Sequence, residues 1–401
     1  MGALRGNSEG ARSRSVPTPD EVRQIVVHGT GALSEATAVA LQSLGSPLLT
    51  DDPDDPTRVR ALFTWRPVPG DTAGGAYVWV NRLTDKSHVA RGMMRRRAAG
   101  DLWFVELAVP RDVLATYRML PLRAAGTEEI PAPRELIRRA RIDPHNAAAV
   151  AGSPFGSVLA GPDAPRLDAW TAPAAAMSTA LDRSIELSPA PLRYRLSVPS
   201  GARTMDLLIT FDADAWFDRF RLPDVLAASG RRCAVLGIDS PADPAARLRF
   251  LGAHDDLFAA IADEVHPVVH QRIGDAGRVT IAGQSLGGLA ALAFAARYPG
   301  LVDEVLAYSP SVWWRPGLMS RPVDVAARQN WIHDRIAACP AGAFSIRLAS
   351  GAYEEKLTPG VADLVTTARC AGHDVEHTVY AGGHDEAQWA ARLLAHLAGA
   401  P

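Results

Sequence analysis

The sequence predicts an α/β fold, with a mostly parallel sheet and helices on both of its faces, preceded by a smaller all-β sandwich domain. Apolar strand-like runs alternate with helical segments after Tyr194, which is typical of a sheet buried on both faces. Short alternating runs from Arg58 to Pro121 are rich in Val, Trp, Tyr and Phe and favour antiparallel strands. The chain has 401 residues, 47% of them hydrophobic, which is enough for two or three such cores.

Composition divides the chain into four segments. Residues 1–20 are rich in Gly, Ser, Arg and Pro, which indicates a disordered arm. Residues 21–125 begin with a helical pattern and continue as the sandwich, whereas residues 193–401 carry the α/β pattern. Between them, residues 126–192 are rich in Pro and Ala with few strand-like runs, and we interpret them as a linker that lies across the second domain.

Charge, cysteine content and hydropathy exclude several classes of function. Lys and Arg total 42 against 44 Asp and Glu, so no basic field would hold nucleic acid or an anionic membrane. Cys233, Cys339 and Cys370 lack CxxC spacing, which supports neither a disulfide framework nor a thiolate zinc site. The start of the chain lacks the apolar stretch of a secretory signal. We therefore expect a cytoplasmic protein without nucleic-acid or membrane partners.

The strongest local signal is the G-x-S-x-G motif at residues 283–287, which lies between a β-branched strand and an Ala-rich helix. In that context the glycines allow a sharp turn that exposes Ser285 at the carboxyl end of the sheet. The helix that follows points its amino end at the serine, so the Leu286 N–H can help stabilise an oxyanion. A serine in an ordinary glycine turn is the alternative, but the strand–turn–helix context favours a nucleophile.

A serine nucleophile needs a base, and this kind of fold supplies a histidine from a loop after the last strand. His384 lies in a Gly-Gly loop between a short strand and an amphipathic final helix. The other histidines considered precede the strand (His373), lie within it (His377) or belong to a helix (His333). The sequence therefore predicts His384 as the base.

The acid that orients the base should follow the preceding strand, which ends near Gly351. Glu354 and Glu355 lie in the loop after it, and either glutamate could reach the histidine. Asp374 or Asp385 could take the role if the loop folds away. We favour Glu354, partly because of a family resemblance.

The motifs GQSLGG, SPSVWW (from Ser309 to Trp314) and GGHDEAQW resemble the enterochelin (enterobactin) esterase family, which cleaves trilactone siderophores. The run from Met94 to Pro121 is similar to that family's amino-terminal immunoglobulin-like domain, and residues 143–146 (DPHN) are similar to its linker. This resemblance implies an α/β-hydrolase domain preceded by an immunoglobulin-like sandwich.

The resemblance also implies roles for single residues. It makes Ser285 the nucleophile, His384 the base and Glu354 the acid. The family has an Asp-Gly-x-x-Trp stretch whose backbone amides help form the oxyanion hole, and residues 212–216 here read Asp-Ala-Asp-Ala-Trp. Ala213 would then donate with Leu286. An alanine in the place of glycine would make an unusual φ costly at position 213.

Substrate contacts are implied in the same way. Arg247 matches an arginine that faces the substrate in the family, and a guanidinium can pair with catecholate oxygens and stack on their rings. Arg249 could share this task. Trp313 and Trp314 could flank catechol rings, but tryptophans after a strand as often pack in the core, so we expect one of the two in each role.

Together these residues predict a serine esterase that hydrolyses the ester bonds of a catecholate siderophore such as ferric enterobactin and needs no metal or organic cofactor of its own. The alternatives are an esterase or acyltransferase for another ester, and an inert siderophore- or carbohydrate-binding protein. Because the catalytic residues all follow residue 200, we expect the first domain to contribute more to substrate binding than to chemistry.

Overall fold

The computed structural model describes residues 16–66, 73–100, 102–171, 177–188, 190–200, 205–318 and 331–399. Most of the arm predicted as disordered, residues 1–15, lies outside these ranges. The described chain begins with a helix, α1 (Pro19–His28), whose first turn is closed by a capping box between Thr18 and Glu21. Within the described ranges, no helix combines the length and apolar character that a membrane span requires.

A seven-stranded antiparallel sheet forms the amino-terminal half of the described chain. Its order is β1-β2-β5-β4-β3-β6-β7, with β1 (Leu48–Asp51), β2 (Arg58–Trp65), β3 (Gly75–Val80), β4 (Met93–Arg96), β5 (Trp103–Pro110), β6 (Leu114–Leu122) and β7 (Ser157–Ala160). Side chains of β2 and β5 share one hydrophobic cluster with those of β3, β6 and β7. The Phe63 and Tyr117 rings meet edge to face there, with centroids 5.0 Å apart, so the two halves of the sheet pack against each other. Helices α2 (Glu35–Leu44), α3 (Val89–Gly92), α4 (Pro133–Arg139) and α5 (Ala147–Val150) accompany this sheet.

An eight-stranded sheet forms the second half. Its order is β15-β14-β13-β12-β10-β11-β9-β8, with β8 (Ser178–Ile185), β9 (Leu192–Val198), β10 (Asp206–Phe211), β11 (Cys233–Ile238), β12 (Val279–Gln284), β13 (Glu304–Tyr308), β14 (Ser345–Gly351) and β15 (Val375–Tyr380). The pairs among β10 to β15 are parallel, whereas β8 and β9 join antiparallel. The carboxyl ends of β10, β12, β13, β14 and β15 therefore meet at one edge of the sheet.

Helices bury both faces of this sheet. Along β10, Leu207 and Ile209 belong to one hydrophobic cluster and Leu208 to another, because successive strand residues point to opposite faces. The first cluster includes α7 (Pro244–Leu251), α8 (Asp255–Ala260), α9 (His266–Ile273), α10 (Leu286–Arg297), α11 (Trp331–Ala337) and α12 (Thr358–Cys370). The second includes α6 (Leu222–Ala228) and α13 (Glu386–Leu397). The chain therefore has the α/β class that the sequence predicts.

The segment 126–192 corrects one prediction. We expected a linker with few strands, but it contains β7, which pairs with β6, and β8, which pairs with β9. β7 is only four residues long and begins with a serine, and most of β8 is at least partly exposed, so neither gives a strong hydrophobic pattern. The segment completes both sheets. The division of the chain into domains stays a prediction.

Candidate active site

Ser285 is the single residue between β12 and α10. Its φ of 56° and ψ of −118° lie in a region that residues other than glycine rarely adopt. The Ser285 N–H donates to the Tyr308 carbonyl oxygen over 2.9 Å, and the Ser285 carbonyl oxygen accepts from Ser311 N over 2.9 Å. These bonds hold the strained turn open, with the serine at the carboxyl edge of the parallel strands.

The glycines around Ser285 are required by close backbone approach. A Cβ on Gly283 would lie 2.1 Å from the Gly287 carbonyl oxygen, and a Cβ on Gly288 would lie 3.1 Å from the Gly283 oxygen. Any larger residue at position 283 would push the first turn of α10 away from β12. The G-x-S-x-G spacing is thus a consequence of the sharp turn.

Glu354 and His384 form a close pair. Glu354 Oε1 lies 2.6 Å from His384 Nδ1, and the Glu354 side chain is completely buried. Its other oxygen, Oε2, accepts from Ser309 Oγ over 2.6 Å and from Gly351 N over 2.8 Å. Burial alone would raise the pKa of Glu354, but these hydrogen bonds and the charge of His384 hold it below its usual value. The carboxylate is therefore ionised at neutral pH and can orient the imidazole.

Three buried side chains support this pair, and the sequence reasoning gave none of them a role. Trp389 Nε1 donates to Ser309 Oγ over 3.2 Å and to Tyr380 OH over 3.1 Å. The Trp389 ring meets the His384 ring edge to face, with centroids 4.8 Å apart. Ser309 lies in the motif SPSVWW, and Trp389 lies in the motif GGHDEAQW. These motifs were therefore the signal from which both residues could have been identified.

The alternative acids and bases make other contacts. Glu355 is 70% exposed, with Oε1 3.4 Å from His88 Nε2. Of the other acids, Asp374 pairs with Arg347, and Asp385 accepts a hydrogen bond from Thr116. Of the other histidines, His377 lies 2.9 Å from Ser350 Oγ. His333 contacts the carbonyl oxygen of Gly360, and His373 contacts that of Ile336. Ser285 Oγ and His384 are not joined by a hydrogen bond in the structure, and such catalytic bonds often form only in the complex with substrate.

The loop after β10 carries its strain at Asp212 and not at Ala213. Asp212 has a φ of 57°, a conformation that aspartate tolerates better than most residues. Ala213 has a φ of −64° and a ψ of −24°, which any residue adopts. The cost that we expected for an alanine at position 213 therefore does not arise.

The Asp212 carboxylate links this loop to the serine turn. Arg247 Nε lies 2.8 Å from Oδ1 and Arg247 Nη2 lies 2.7 Å from Oδ2. Gln284, the residue before Ser285, donates from Nε2 to Oδ2 over 3.2 Å, and its Oε1 accepts from Trp216 Nε1 over 3.1 Å. Burial would lower the pKa of Arg247, but the hydrogen bonds to Asp212 raise it. Two donors of Arg247 are thus engaged within the protein, and Arg249, two residues on, is exposed.

The two tryptophans predicted to contact substrate lie in different surroundings. Trp314 is 5% exposed and packs edge to face on Trp331, with centroids 5.2 Å apart. A Cβ on Gly252 would come within 2.6 Å of the Trp314 ring, so α7 also covers it. The substrate contact predicted for Trp314 is therefore not supported, because its ring is the one of the two that packs in the core. Trp313 is half-buried at the edge of the same cluster, so part of its side chain is exposed.

Two family models match the chain in tandem. The family described as "Enterochelin esterase, N-terminal" matches residues 60–170, and the family described as "Putative esterase" matches residues 178–400. Together they cover the second sheet and all of the first except β1 and the start of β2, and the second match includes the serine turn, Glu354 and His384.

Similar proteins match over most of the chain. It is 30% identical to the iron(III) salmochelin esterase of Escherichia coli O6:H1 over 373 residues, which is 88% of this chain and 90% of that protein. It is 27% identical to the iron(III) enterobactin esterase of Dickeya dadantii, over 88% of this chain and 89% of that one. The solved ferric enterobactin esterase of Salmonella typhimurium superposes with a TM-score of 0.76 at 23% identity, over 91% of this chain and 98% of that one. The enterobactin esterase of Shigella flexneri, solved in the presence of enterobactin, superposes with a TM-score of 0.71 at 21% identity, over 91% of this chain and 97% of that one.

Proposed function

The chain belongs to the enterochelin esterase family, and from this premise we propose that it is a serine esterase that hydrolyses the trilactone ester bonds of a catecholate siderophore such as ferric enterobactin. The family membership confirms the resemblance that the sequence motifs indicate. The observation that carries the proposal is the buried Glu354–His384 pair, 2.6 Å apart, in a chain whose strained serine turn and relatives both indicate ester hydrolysis. Within this family we also assign the second sheet to the α/β-hydrolase fold and the first to an immunoglobulin-like sandwich.

The reaction begins with attack of Ser285 Oγ on a lactone carbonyl carbon. His384 Nε2 takes the serine proton, and Glu354 holds the imidazole by accepting from Nδ1–H. The tetrahedral intermediate collapses with cleavage of the ester C–O bond, and His384 returns the proton to the departing hydroxyl. Water then attacks the acyl-enzyme with His384 again as the base, the bond from the acyl carbon to Ser285 Oγ breaks, and His384 returns the proton to Oγ. One water is therefore consumed for each ester opened.

The oxyanion would be held by the backbone N–H groups of Leu286 and Ala213. Leu286 begins α10, whose amino end is directed at the serine. Ala213 follows the positive-φ residue Asp212, which fixes the direction of its amide. A single donor of this kind accounts for about 10²–10³-fold in kcat.

Recognition of the siderophore involves Trp313 and Arg247. The half-buried Trp313 ring can pack on a catechol, and Arg247 Nη1, for which no partner is found among the described residues, can meet a catecholate oxygen. Opening the macrocycle removes the preorganisation that favours tight ferric binding. Iron release would therefore follow from ester hydrolysis.

The substrate class is tested by comparing kcat/KM on several catecholate trilactones with that on a neutral nitrophenyl ester. We expect the trilactones to be preferred by at least about tenfold, because contacts remote from the scissile bond add binding energy in the transition state. Active-site labelling by a fluorophosphonate gives the concentration of enzyme that carries a reactive serine. Labelling with no preference for trilactones would indicate another ester, and no labelling would indicate an inert binding protein.

Arg247→Ala is expected to lower kcat on both the neutral ester and the trilactone by about tenfold, because Asp212 would lose two of its three side-chain hydrogen bonds and loosen the oxyanion loop. KM should rise in addition for the anionic trilactone alone. Arg249→Ala, which removes an exposed arginine from the same helix, is the matched control for the loop and should leave kcat unchanged on both substrates. A loss confined to the KM of the trilactone would contradict the role of Arg247 in holding the loop.

A further inference from the structure

The loop that carries His384, residues 381–385, contacts the start of β6 and the turn after β3 in the first sheet. Leu114 N, at the start of β6, donates to the Ala381 carbonyl oxygen over 3.3 Å. A Cβ on Gly383 would lie 2.6 Å from the Asn81 oxygen and 2.7 Å from Arg82 Cβ, so the turn after β3 touches the loop directly before the histidine. The Gly-Gly pair of the loop is thus shaped by residues about 300 positions earlier in the chain.

Asp385 also makes polar contacts with the first sheet, and these are shorter than the bond from Leu114 N. Its Oδ2 accepts from Thr116 N and from Thr116 Oγ1, each over 2.8 Å. Its Oδ1 accepts from Ala387 N over 2.9 Å, which caps the first turn of α13. One carboxylate therefore ties together the residue after His384, the final helix and β6.

The burial of this carboxylate costs free energy. Asp385 is 2% exposed, and no cationic side chain pairs with it in the part of the chain that the structure describes. Burial raises the pKa of Asp385 to about 6, although the hydrogen bonds from Thr116 and Ala387 oppose the rise. A buried carboxylate without a cation is unusual and is held only by its neutral donors. The ester hydrolysis mechanism assigns it no part.

We propose that Asp385 is a positioning residue which, through Thr116, fixes the His384 loop to β6, so that the first domain sets the geometry of the catalytic base. This inference rests on the proposed function only in taking His384 as the base. It revises the expectation that the first domain contributes mainly to substrate binding. A small neutral ester need not touch the first domain. Its rate of hydrolysis should still depend on the contact between Asp385 and Thr116.

Asp385→Asn tests the proposal. Asparagine caps a helix as well as aspartate, so the bond from Ala387 N can persist, but its amide nitrogen would face the Thr116 N–H, donor against donor. We expect kcat on the neutral nitrophenyl ester to fall about tenfold or more with little change in KM, because a small displacement of the base slows the chemical step. The rate of fluorophosphonate labelling of Ser285 should fall in parallel.

Thr116 provides the second set of variants, which applies even if Asp385→Asn does not fold. Thr116→Val removes one of the two bonds to Asp385 and should lower kcat by about threefold, in line with the loss of one hydrogen bond. Thr116→Ser retains the hydroxyl and should restore the wild-type value. Asp374→Asn, the same substitution at an exposed carboxylate that pairs with Arg347, is the matched control and should leave kcat unchanged.

Folded Asp385→Asn and Thr116→Val variants with wild-type kcat on the neutral ester would overturn the proposal. A loss seen only as a higher KM for trilactones would overturn it as well, since the first domain would then act through binding alone. A wild-type enzyme that cleaves nitrophenyl esters but no trilactone would refute the proposed substrate and leave this test intact, because its readout is the neutral ester. Thermal unfolding of each variant shows whether a lower kcat comes from a displaced loop, with the unfolding temperature unchanged, or from a destabilised fold, with that temperature lowered.

Discussion

Ser285→Ala is expected to lower kcat on every ester substrate by about 10³-fold or more, since the hydroxyl is the nucleophile and triad members typically account for factors of this size. The fold should not change, because the hydroxyl of the half-buried Ser285 adds little to stability and alanine meets the same backbone strain at φ 56°. The measurements are kcat on a nitrophenyl ester, fluorophosphonate labelling and thermal unfolding.

Ser229→Ala is the matched control for this variant. The Ser229 hydroxyl donates to the Leu226 carbonyl oxygen at the end of α6 and contacts none of the catalytic residues, so wild-type kcat is expected. A Ser285→Ala enzyme that keeps more than about a tenth of the wild-type rate would refute the assignment of the nucleophile.

His384→Ala is expected to cost nearly as much as Ser285→Ala, about 10³-fold or more in kcat, because no other described histidine approaches Glu354. Glu354→Gln should cost about one to two orders of magnitude less, since the imidazole remains but loses the acceptor of its Nδ1–H. Glutamine also places a donor where Oε1 or Oε2 accepts from His384, Ser309 and Gly351. The comparison is made by steady-state kinetics on the neutral ester.

Glu355→Gln supplies the control for the acid. Glu355 is 70% exposed and lies near His88, so its replacement should change kcat by less than about twofold, as is usual for exposed charges. If Glu355→Gln lowered kcat and Glu354→Gln did not, the acid of the triad would be Glu355 and not Glu354. If neither replacement had an effect, the enzyme would work with a Ser285–His384 dyad.

The serine turn could be predicted from the sequence because its determinants are local. Gly283 and Gly287 must pack together wherever a strand turns this sharply into a helix. The choice between Glu354 and Glu355 could not be made from the residues alone, since adjacent positions in a loop point in different directions. In the structure Gly351 N and Ser309 Oγ bind one carboxylate, while the other is exposed to solvent.

Features that depend on long-range packing could not be predicted. The strands β7 and β8 have too few apolar residues to stand out from a Pro- and Ala-rich segment, and they form because β6 and β9 present free edges to them. Trp313 and Trp314 are adjacent in the motif, and only the packing of α7 and Trp331 shows which one is buried. The contact between Thr116 and Asp385 joins residues 269 positions apart, a separation for which a single sequence gives no signal.

The central claim is that Ser285 opens the ester bonds of a catecholate trilactone. It is tested most directly by mass spectrometry of the siderophore after incubation with wild-type enzyme and with Ser285→Ala, at matched amounts of folded protein. We predict that the wild-type enzyme converts the cyclic trilactone into linear products whose summed mass exceeds that of the trilactone by one water for each ester opened, and that Ser285→Ala leaves the trilactone intact. A trilactone that survives the wild-type enzyme while nitrophenyl esters are cleaved, or one that both proteins open at equal rates, would contradict the claim.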